Sequence, residues 1–169
     1  GREVGEPATP YEVGTTVRII DVSEVAPNRY NIVTAGEHRF RLHDIQRREP
    51  YLTGDVDLWP DELGDEASCR ALVAELTTAY QDYAALLRAL TARSIGEVQL
   101  PEDALTLSYA VASGLLVDLT DQQALLESPS VRERLEHELT LLQRERALLR
   151  LYGTVGHMRP SDVDRFSLS

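Results

Sequence analysis

Four histidines, one cysteine and a run of carboxylates are the residues of this chain whose types could support chemistry. Histidine and cysteine bind zinc when they recur at short fixed spacing. His38 and His43 are separated by an odd number of positions in a segment with strand periodicity, which sends their side chains to opposite faces. His137 and His157 lie far along the chain. The spacing therefore predicts no metal site and no cofactor.

Cys69 is the single cysteine, which excludes an intramolecular disulfide and is typical of a reducing cytoplasm. A helix start would favour its thiolate, but no base lies nearby in sequence, so we expect it to pack in a core. The acidic run lacks the spacing of a calcium loop, and we interpret it as a solvated edge. Its members are Asp55, Asp57, Asp61, Glu62, Asp65 and Glu66.

Lysine is absent, so all 17 cationic side chains are arginines. The composition of a GC-rich genome explains this, but it also has chemical consequences. A Ser-Lys dyad, a Schiff base and a Walker A loop cannot be built. With no catalytic constellation in the sequence, we expect a chain that is not an enzyme.

The net charge of −11 argues against nucleic acid as a partner. No apolar run is long enough for a membrane span and no signal-peptide pattern is found, so we expect no membrane partner and a cytoplasmic location. One local basic strip could bind an anion, but a solvated face is the expected interpretation. It comprises Arg39, Arg41, His43, Arg47 and Arg48.

Apolar and polar residues alternate with period two from Gly14 to Trp59, which predicts three or four antiparallel strands in a meander. Turns are predicted at Pro27-Asn28 and at Ala35–Glu37, where Gly36 could adopt a positive φ. Simple alternation places Val17 and Ile19 on one face, and Arg18, Ile20 and Val22 on the other.

After Trp59 the apolar period changes to 3.6, which predicts about four helices. The expected starts are a cap at Asp65, the segment Leu100–Asp103, a cap at Thr120 and a capping box at Ser130–Glu133. The stripe of the first helix is Val73, Leu76, Tyr80, Tyr83, Leu87 and Leu90. The stripe of the last is Leu135, Leu139, Leu142 and Leu149, with Glu136, Glu138, Arg144 and Arg146 expected in solvent.

The ordered segments GTTVRI, RYNIVTAG, RFRL and PYLTGDVDLW resemble the amino-terminal substrate-binding domain of Lon proteases, the LON domain. The resemblance continues through LPEDALTLSYAVASGLLVDLTDQQALLESPSVRERLEHELTLLQRERALL and spans roughly Gly14 to Tyr152. No counterpart of the family's opening LPLFPL-type strand, proline-rich loop and short helix is present. The resemblance implies an α+β fold: a small antiparallel PUA-like pseudo-barrel, incomplete at its amino terminus, followed by a bundle of about four helices.

Three regions are expected: a β subdomain at 1–60, a helical subdomain at 61–153 and a flexible tail at 154–169. The resemblance implies a non-catalytic protein-binding module that engages unfolded or client polypeptides, with a protease or chaperone as a further partner. The candidate peptide-binding residues are Tyr51, Leu52, Leu58 and Trp59. Trp59 has a second interpretation, as an anchor packed between the subdomains. Two alternatives stay open: a regulatory or small-ligand-binding domain, and a fragment of a full-length ATP-dependent Lon protease.

Overall fold

The structure is a computed structural model, which describes residues 9–46, 51–91 and 99–155. The chain divides into two compact units between Asp61 and Glu62. The first contains the strands β1 (Val13–Ala26), β2 (Arg29–Gln46) and β3 (Thr53–Leu58). They form an antiparallel sheet in the order β1-β2-β3. This sheet is open among the described residues, so the closed pseudo-barrel expected from the resemblance is not observed in them.

The predicted turn at Pro27-Asn28 is confirmed, and Asn28 adopts a φ of 61°. The second predicted turn is wrong, because Ala35–Glu37 lies inside β2, where Gly36 pairs with Val17. The chain accommodates these residues in a register shift opposite Thr15–Val17 instead of reversing. The hydroxyl oxygen of Thr16 accepts the N–H of His38 at 3.1 Å beside this shift.

A second register shift, between Ile19 and Asp21, changes which side chains share a face of β1. Ile19 pairs with Thr34 and Val22 pairs with Ile32, and Ile32 and Thr34 lie two positions apart on β2. Val22 therefore shares a face with Ile19, and the expectation that placed it on the opposite face is wrong. A bulge adds one residue, and one residue inverts the alternation that follows it.

The second unit contains α1 (Glu66–Thr91), α2 (Ala104–Gly114), α3 (Leu119–Leu126) and α4 (Val131–Val155). The longest helices, α1 and α4, pack along each other, and α2 and α3 pack against α4. Their contact surface is the predicted pair of leucine and tyrosine stripes. The buried members of these stripes are Leu76, Tyr80, Tyr83, Leu87, Leu135, Leu139 and Leu142. The helix α2 adds Leu107 and Val111 to the same core, whereas Leu90, predicted in the first stripe, is 41% exposed.

Side-chain oxygens cap the amino termini of the helices and account for where each begins. Asp65 accepts the N–H of Ser68 at 3.1 Å, as expected. Asp103 accepts the N–H of Thr106 at 2.8 Å, so α2 begins after it and not at the proline two positions earlier. For α3 the expected cap, Thr120, is wrong.

The N-cap of α3 is Asp118, whose carboxylate accepts the N–H of Asp121 at 2.9 Å. At α4 the predicted cap at Ser130 is present: Ser130 Oγ accepts the N–H of Glu133 at 3.2 Å and donates to Glu133 Oε1 at 3.0 Å. The helix continues to Val155, and the rest of the expected tail, 156–169, lies outside the described residues.

Candidate functional site

The two faces of the sheet in the first unit differ sharply in chemistry at the β2–β3 pair. Phe40 pairs with Leu58, Leu42 with Val56 and Ile45 with Gly54. Cross-strand partners point to the same side, so one face carries an apolar set. The residues between them on β2 and β3 point to the other side, which carries arginines and aspartates. The period-two alternation, together with the register shift between Leu42 and Asp44 that returns Ile45 to the face of Leu42, builds one apolar and one charged surface.

The apolar face forms a groove of about 510 Å³. No charged side chain lines it, and Tyr11 and Thr53 are the two wall residues whose side chains carry a hydroxyl group. Its wall is formed by Pro10, Tyr11, Val13, Gly14, Phe40, Leu42, Ile45, Leu52, Thr53, Gly54 and Val56. A groove of this size falls within the usual range of ligand sites, about 300–1,000 Å³.

Two glycines shape this groove by leaving space for larger neighbours. A Cβ at position 14 would lie 2.9 Å from Cε2 of Phe40, and a Cβ at position 54 would lie 2.8 Å from Cδ1 of Leu42. Real Cβ atoms do not approach other carbons so closely. The Phe40 ring and the Leu42 side chain can therefore lie flat on the sheet because neither glycine has a side chain.

The opposite face is built around Trp59, whose backbone N–H donates to the backbone carbonyl of Arg39 at 2.8 Å. The guanidinium carbons of Arg39 and Arg41 lie 4.3 and 4.0 Å from the centre of its ring. Arg39 is also paired with Asp61 at 2.9 Å and is almost completely buried. The expectation of a solvated basic strip is therefore wrong for Arg39, because its charge is matched and its flat surface is stacked.

The rest of the predicted basic strip is more exposed or lies outside the described residues. Arg41 is exposed, and Nε2 of the exposed His43 lies 2.8 Å from Oδ2 of Asp57. Arg47 and Arg48 fall outside the described ranges. Among the described residues, the cations of the charged face, Arg39, Arg41 and His43, are each stacked on Trp59 or paired with an aspartate.

The four residues predicted to bind peptide are divided between the two faces. Leu52 lines the groove and is 63% exposed, and Tyr51 precedes it with an exposed ring. Leu58 pairs with Phe40 and so faces the same side, although it stands outside the groove wall. Trp59 does not join them, because its ring is covered by two guanidinium groups. Of the four predicted residues, only Leu52 is part of the groove wall.

Sequence reasoning missed most of the groove wall. Phe40, Leu42 and Val56 were available from the period-two alternation, since they occupy the same phase on β2 and β3. Gly14 and Gly54 gave no such signal, because a glycine inside a strand does not reveal which neighbour occupies the space above it.

The hairpin of β1 and β2 beyond the groove exposes many apolar side chains. At least half of the reference surface is accessible for each of Val17, Ile19, Ile20, Val22, Val25, Tyr30, Ile32 and Val33. Within the described sheet, β1 and β3 each have only one neighbour, so each has an edge with unpaired backbone groups. Large exposed apolar patches and open strand edges are typical of interaction surfaces.

The helical unit buries two ionisable side chains one turn apart on α4. Arg134 and Glu138 are both 0% exposed, although Glu138 was expected in solvent. Neither carboxylate oxygen of Glu138 has a hydrogen-bond partner among the described residues. Burial raises the pKa of Glu138 to about 9, and the nearby charge of Arg134 offsets this only in part. The carboxyl group is therefore protonated at neutral pH.

Other candidates for chemistry are isolated in the structure. Cys69 is buried and its sulfur is a free thiol, as expected for a packing residue. Within residues 9–46, 51–91 and 99–155, no three His, Cys, Asp or Glu side chains are grouped so that they could hold a metal ion. None of the helices in these ranges combines the length and the apolar character of a membrane span.

Most of the chain matches a single protein family. The family model of the ATP-dependent protease La (LON) substrate-binding domain matches residues 3–144, most of the chain. The chain belongs to this family. Lon protease from Brevibacillus choshinensis is 26% identical to this LON domain over 155 residues, which are 92% of the chain and 20% of that protein. Lon protease 2 from Syntrophobacter fumaroxidans is 29% identical, over 96% of the chain and 20% of that protein.

Solved structures show the same fold. The N-terminal domain of Lon protease from the Mycobacterium avium complex superposes with a TM-score of 0.63 at 22% identity, over 82% of this LON domain and 74% of that chain. A Lon N-terminal domain protein from Xanthomonas campestris gives a TM-score of 0.51 at 23% identity, over 78% of the chain and 68% of that one. The fold is therefore that of Lon N-terminal domains. The chain spans about 20% of the length of the curated Lon proteases above.

Proposed function

We propose that this chain is a non-catalytic module that recognises unfolded or client polypeptides through the apolar groove of its β unit. The observation that carries the proposal is the combination of this groove, about 510 Å³ in volume, with strand edges that have no further strand beside them among the described residues. The groove supplies a site for apolar side chains, and the edges supply backbone hydrogen bonds. Membership of a family named for substrate binding supports this proposal.

The groove suits large apolar side chains that folded proteins bury and unfolded ones expose. Its floor is flat where Phe40 and Leu42 lie over glycines, and Leu52 and Val56 close its β3 side. A client side chain placed there would be removed from water, which stabilises the complex by about 25 cal/mol per Å² of buried apolar surface. Because no charged side chain lines the wall, the site would select by size and hydrophobicity and tolerate many sequences.

The open edges would add affinity that does not depend on sequence. An extended client segment can pair with the free edge of β1 or β3 as an additional strand. Glu12, Asp44 and Asp55 each neighbour a wall residue in sequence, and the whole chain carries a net charge of −11. This charge would favour clients whose apolar segments are flanked by basic residues.

The PUA-like pseudo-barrel is part of the same proposal. A further strand pairing with β1 or β3 would continue the sheet toward closure and would cover side chains such as Ile20 and Val33, which are exposed in the described sheet.

The three expected regions, 1–60, 61–153 and 154–169, and the cytoplasmic location also remain proposals. The Lon proteases that the chain matches are about five times as long. The proposed function is therefore also compatible with a chain that forms the recognition part of an ATP-dependent Lon protease.

Fluorescence anisotropy tests the proposal directly. Labelled, permanently unfolded casein should bind the whole chain saturably, and a folded control protein of similar size and charge should not. Addition of a basic peptide with one large apolar residue should displace the casein. Equal and negligible signals for the unfolded and the folded protein would overturn the proposed function.

A further inference from the structure

A second cavity, separate from the peptide groove, lies entirely within the helical unit. It has a volume of about 300 Å³, at the lower end of the range for ligand sites. Tyr109, Ala112 and Leu126 form apolar parts of its wall, and the exposed Ser113 and Gln122 stand at its polar side. None of these residues belongs to the groove proposed for polypeptides. The size and the mixed wall suit a small molecule with an apolar part and a polar end.

Arg134 gives this cavity a fixed positive charge. Its Nε donates to Ser108 Oγ at 3.0 Å, and its guanidinium carbon lies 4.0 Å from the centre of the Tyr109 ring. The side chain is fully buried, so it forms the wall from behind and its position is set by these contacts. Across a protein wall of low effective dielectric constant, such a charge attracts an anion more strongly than it would in water.

Glu138, one turn along α4 from Arg134, holds its proton more tightly than an exposed carboxyl group. Glu138 is buried, and burial raises the pKa of its carboxyl group to about 9. It is therefore neutral over the physiological range. At the other side of the cavity, the Gln122 amide nitrogen donates to the Val117 carbonyl over a long distance of 3.4 Å. An amide nitrogen carries two donors, so this group can also donate to a ligand.

We propose that the cavity between α2, α3 and α4 binds a carboxylate that carries a short branched apolar group. The apolar group packs against Ala112, Leu126 and the Tyr109 ring, and the carboxylate lies toward Arg134 and the Gln122 amide. This chemistry occurs in free small acids and in the carboxyl-terminal residue of a polypeptide. The cavity and the peptide groove share no residue, so an experiment can refute one proposal without affecting the other.

The test is a nuclear magnetic resonance titration of the whole chain with 4-methylpentanoate and its neutral isostere 4-methylpentanamide. The acid should shift the resonances of Ala112, Gln122 and Leu126 saturably, with a dissociation constant at least about tenfold lower than that of the amide. Shifts that are equal for the two compounds, or spread over the surface, would overturn the proposal.

Two pairs of variants locate the site. Arg134→Met should weaken binding of the acid about tenfold, whereas Arg132→Met, at an exposed position on the same helix, should not. Ala112→Leu should fill the cavity and abolish binding without removing the charge, whereas Ala147→Leu, at an exposed position on α4, should leave binding intact. The second pair keeps the test decisive if Arg134→Met does not fold. Unchanged binding in Ala112→Leu would contradict the assignment.

The source of the carboxylate is distinguished by N-acetyl-alanyl-leucine and its carboxamide. Tighter binding of this peptide acid than of 4-methylpentanoate, with loss on amidation, would identify the end of a polypeptide as the ligand. Equal or weaker binding of the peptide acid would identify a free small acid. Both results support the carboxylate site, and binding of the two carboxamides as well as the acids would refute it.

Discussion

The phenyl ring of Phe40 lies against Gly14 across the β1–β2 pair, where a Cβ would stand 2.9 Å from Cε2 and 3.0 Å from Cε1. Gly14→Ala must therefore displace the ring from the groove or strain the pair. We expect the free energy of unfolding of the β unit to fall by about 1–3 kcal/mol, the usual cost of overpacking.

Urea unfolding followed by fluorescence measures this loss, since Trp59, the single tryptophan, lies in the β unit. Gly36→Ala is the control. Its Cβ would meet only Thr15 Cγ2 at 3.3 Å, and its φ is not positive. Equal stability of the two variants would mean that the Phe40 ring does not need the glycine.

A second close approach occurs in the helical unit, where the hydroxyl end of the Tyr80 ring lies on Gly114. A Cβ at position 114 would stand 2.9 Å from Tyr80 Cζ and closer still to the hydroxyl oxygen. Gly114→Ala should lower the free energy of unfolding by about 1–3 kcal/mol, despite the better helix propensity of alanine.

Circular dichroism at 222 nm during denaturation reports this change, with the exposed Ser113→Ala as the control. In the double variant with Tyr80→Phe, part of the loss should be recovered because the hydroxyl is gone. Additive effects of the two substitutions would show that the contact does not limit this packing.

The sequence predicted the helices and their packing faces well and the sheet less well, for a physical reason. A stripe at spacing 3.6, such as Leu76, Tyr80 and Tyr83, persists over many turns, and the helix that it predicts buries it. In β1 and β2, each bulge inverts the alternation, so Val22 appeared on the opposite face and Gly36 appeared to be a turn. No local signal marks a bulge whose extra residue is neither glycine nor proline.

The polar interior was also beyond sequence reasoning. Glu138 sits in a helix with several exposed carboxylates, and spacing alone placed it among them. Its burial follows from the packing of other helices against α4, which is a tertiary property. The candidate site was predicted in part for the same reason: Leu52 was identified from its type and position, whereas Phe40 and Leu42 became wall residues only through the strand register.

Asp61 neutralises Arg39 in a largely buried pair, with side chains 14% and 3% exposed. Asp61→Ala should lower the free energy of unfolding of the β unit by about 3 kcal/mol, because it removes one partner of a buried ion pair. Glu37→Ala breaks the exposed pair with Arg18 and should cost less than about 1 kcal/mol. Fluorescence-detected urea unfolding compares them, and losses of similar size would refute the buried role of Asp61.

Glu138 should make the helical unit less stable as the pH rises. Its pKa is raised from 4.5 when unfolded to about 9 when folded, so the folded state retains a proton that the unfolded state has lost. The free energy of unfolding should therefore decrease between about pH 4.5 and 9, with a slope of at most about 1.4 kcal/mol per pH unit. Below pH 4.5 both states are protonated and this contribution is fully present.

Glu138→Gln keeps the shape and removes the titration. The variant should match the parent chain near pH 4.5, exceed it in stability at pH 8, and show a flatter pH profile. Glu136→Gln, at an exposed position on the same helix, is the control and should keep the parent slope. A Glu138→Gln profile parallel to that of the parent would show that this carboxyl group does not titrate as its burial requires.

The central claim, that the groove on the β unit binds client polypeptides, is tested most directly by two leucines of equal exposure. Leu52 lines the groove and is 63% exposed, and Leu63 lies outside it and is 61% exposed. Anisotropy titrations with labelled unfolded casein should give Leu52→Ser a dissociation constant about tenfold above that of the parent chain, and Leu63→Ser an unchanged one. Equal affinities of the two variants for casein would contradict the account.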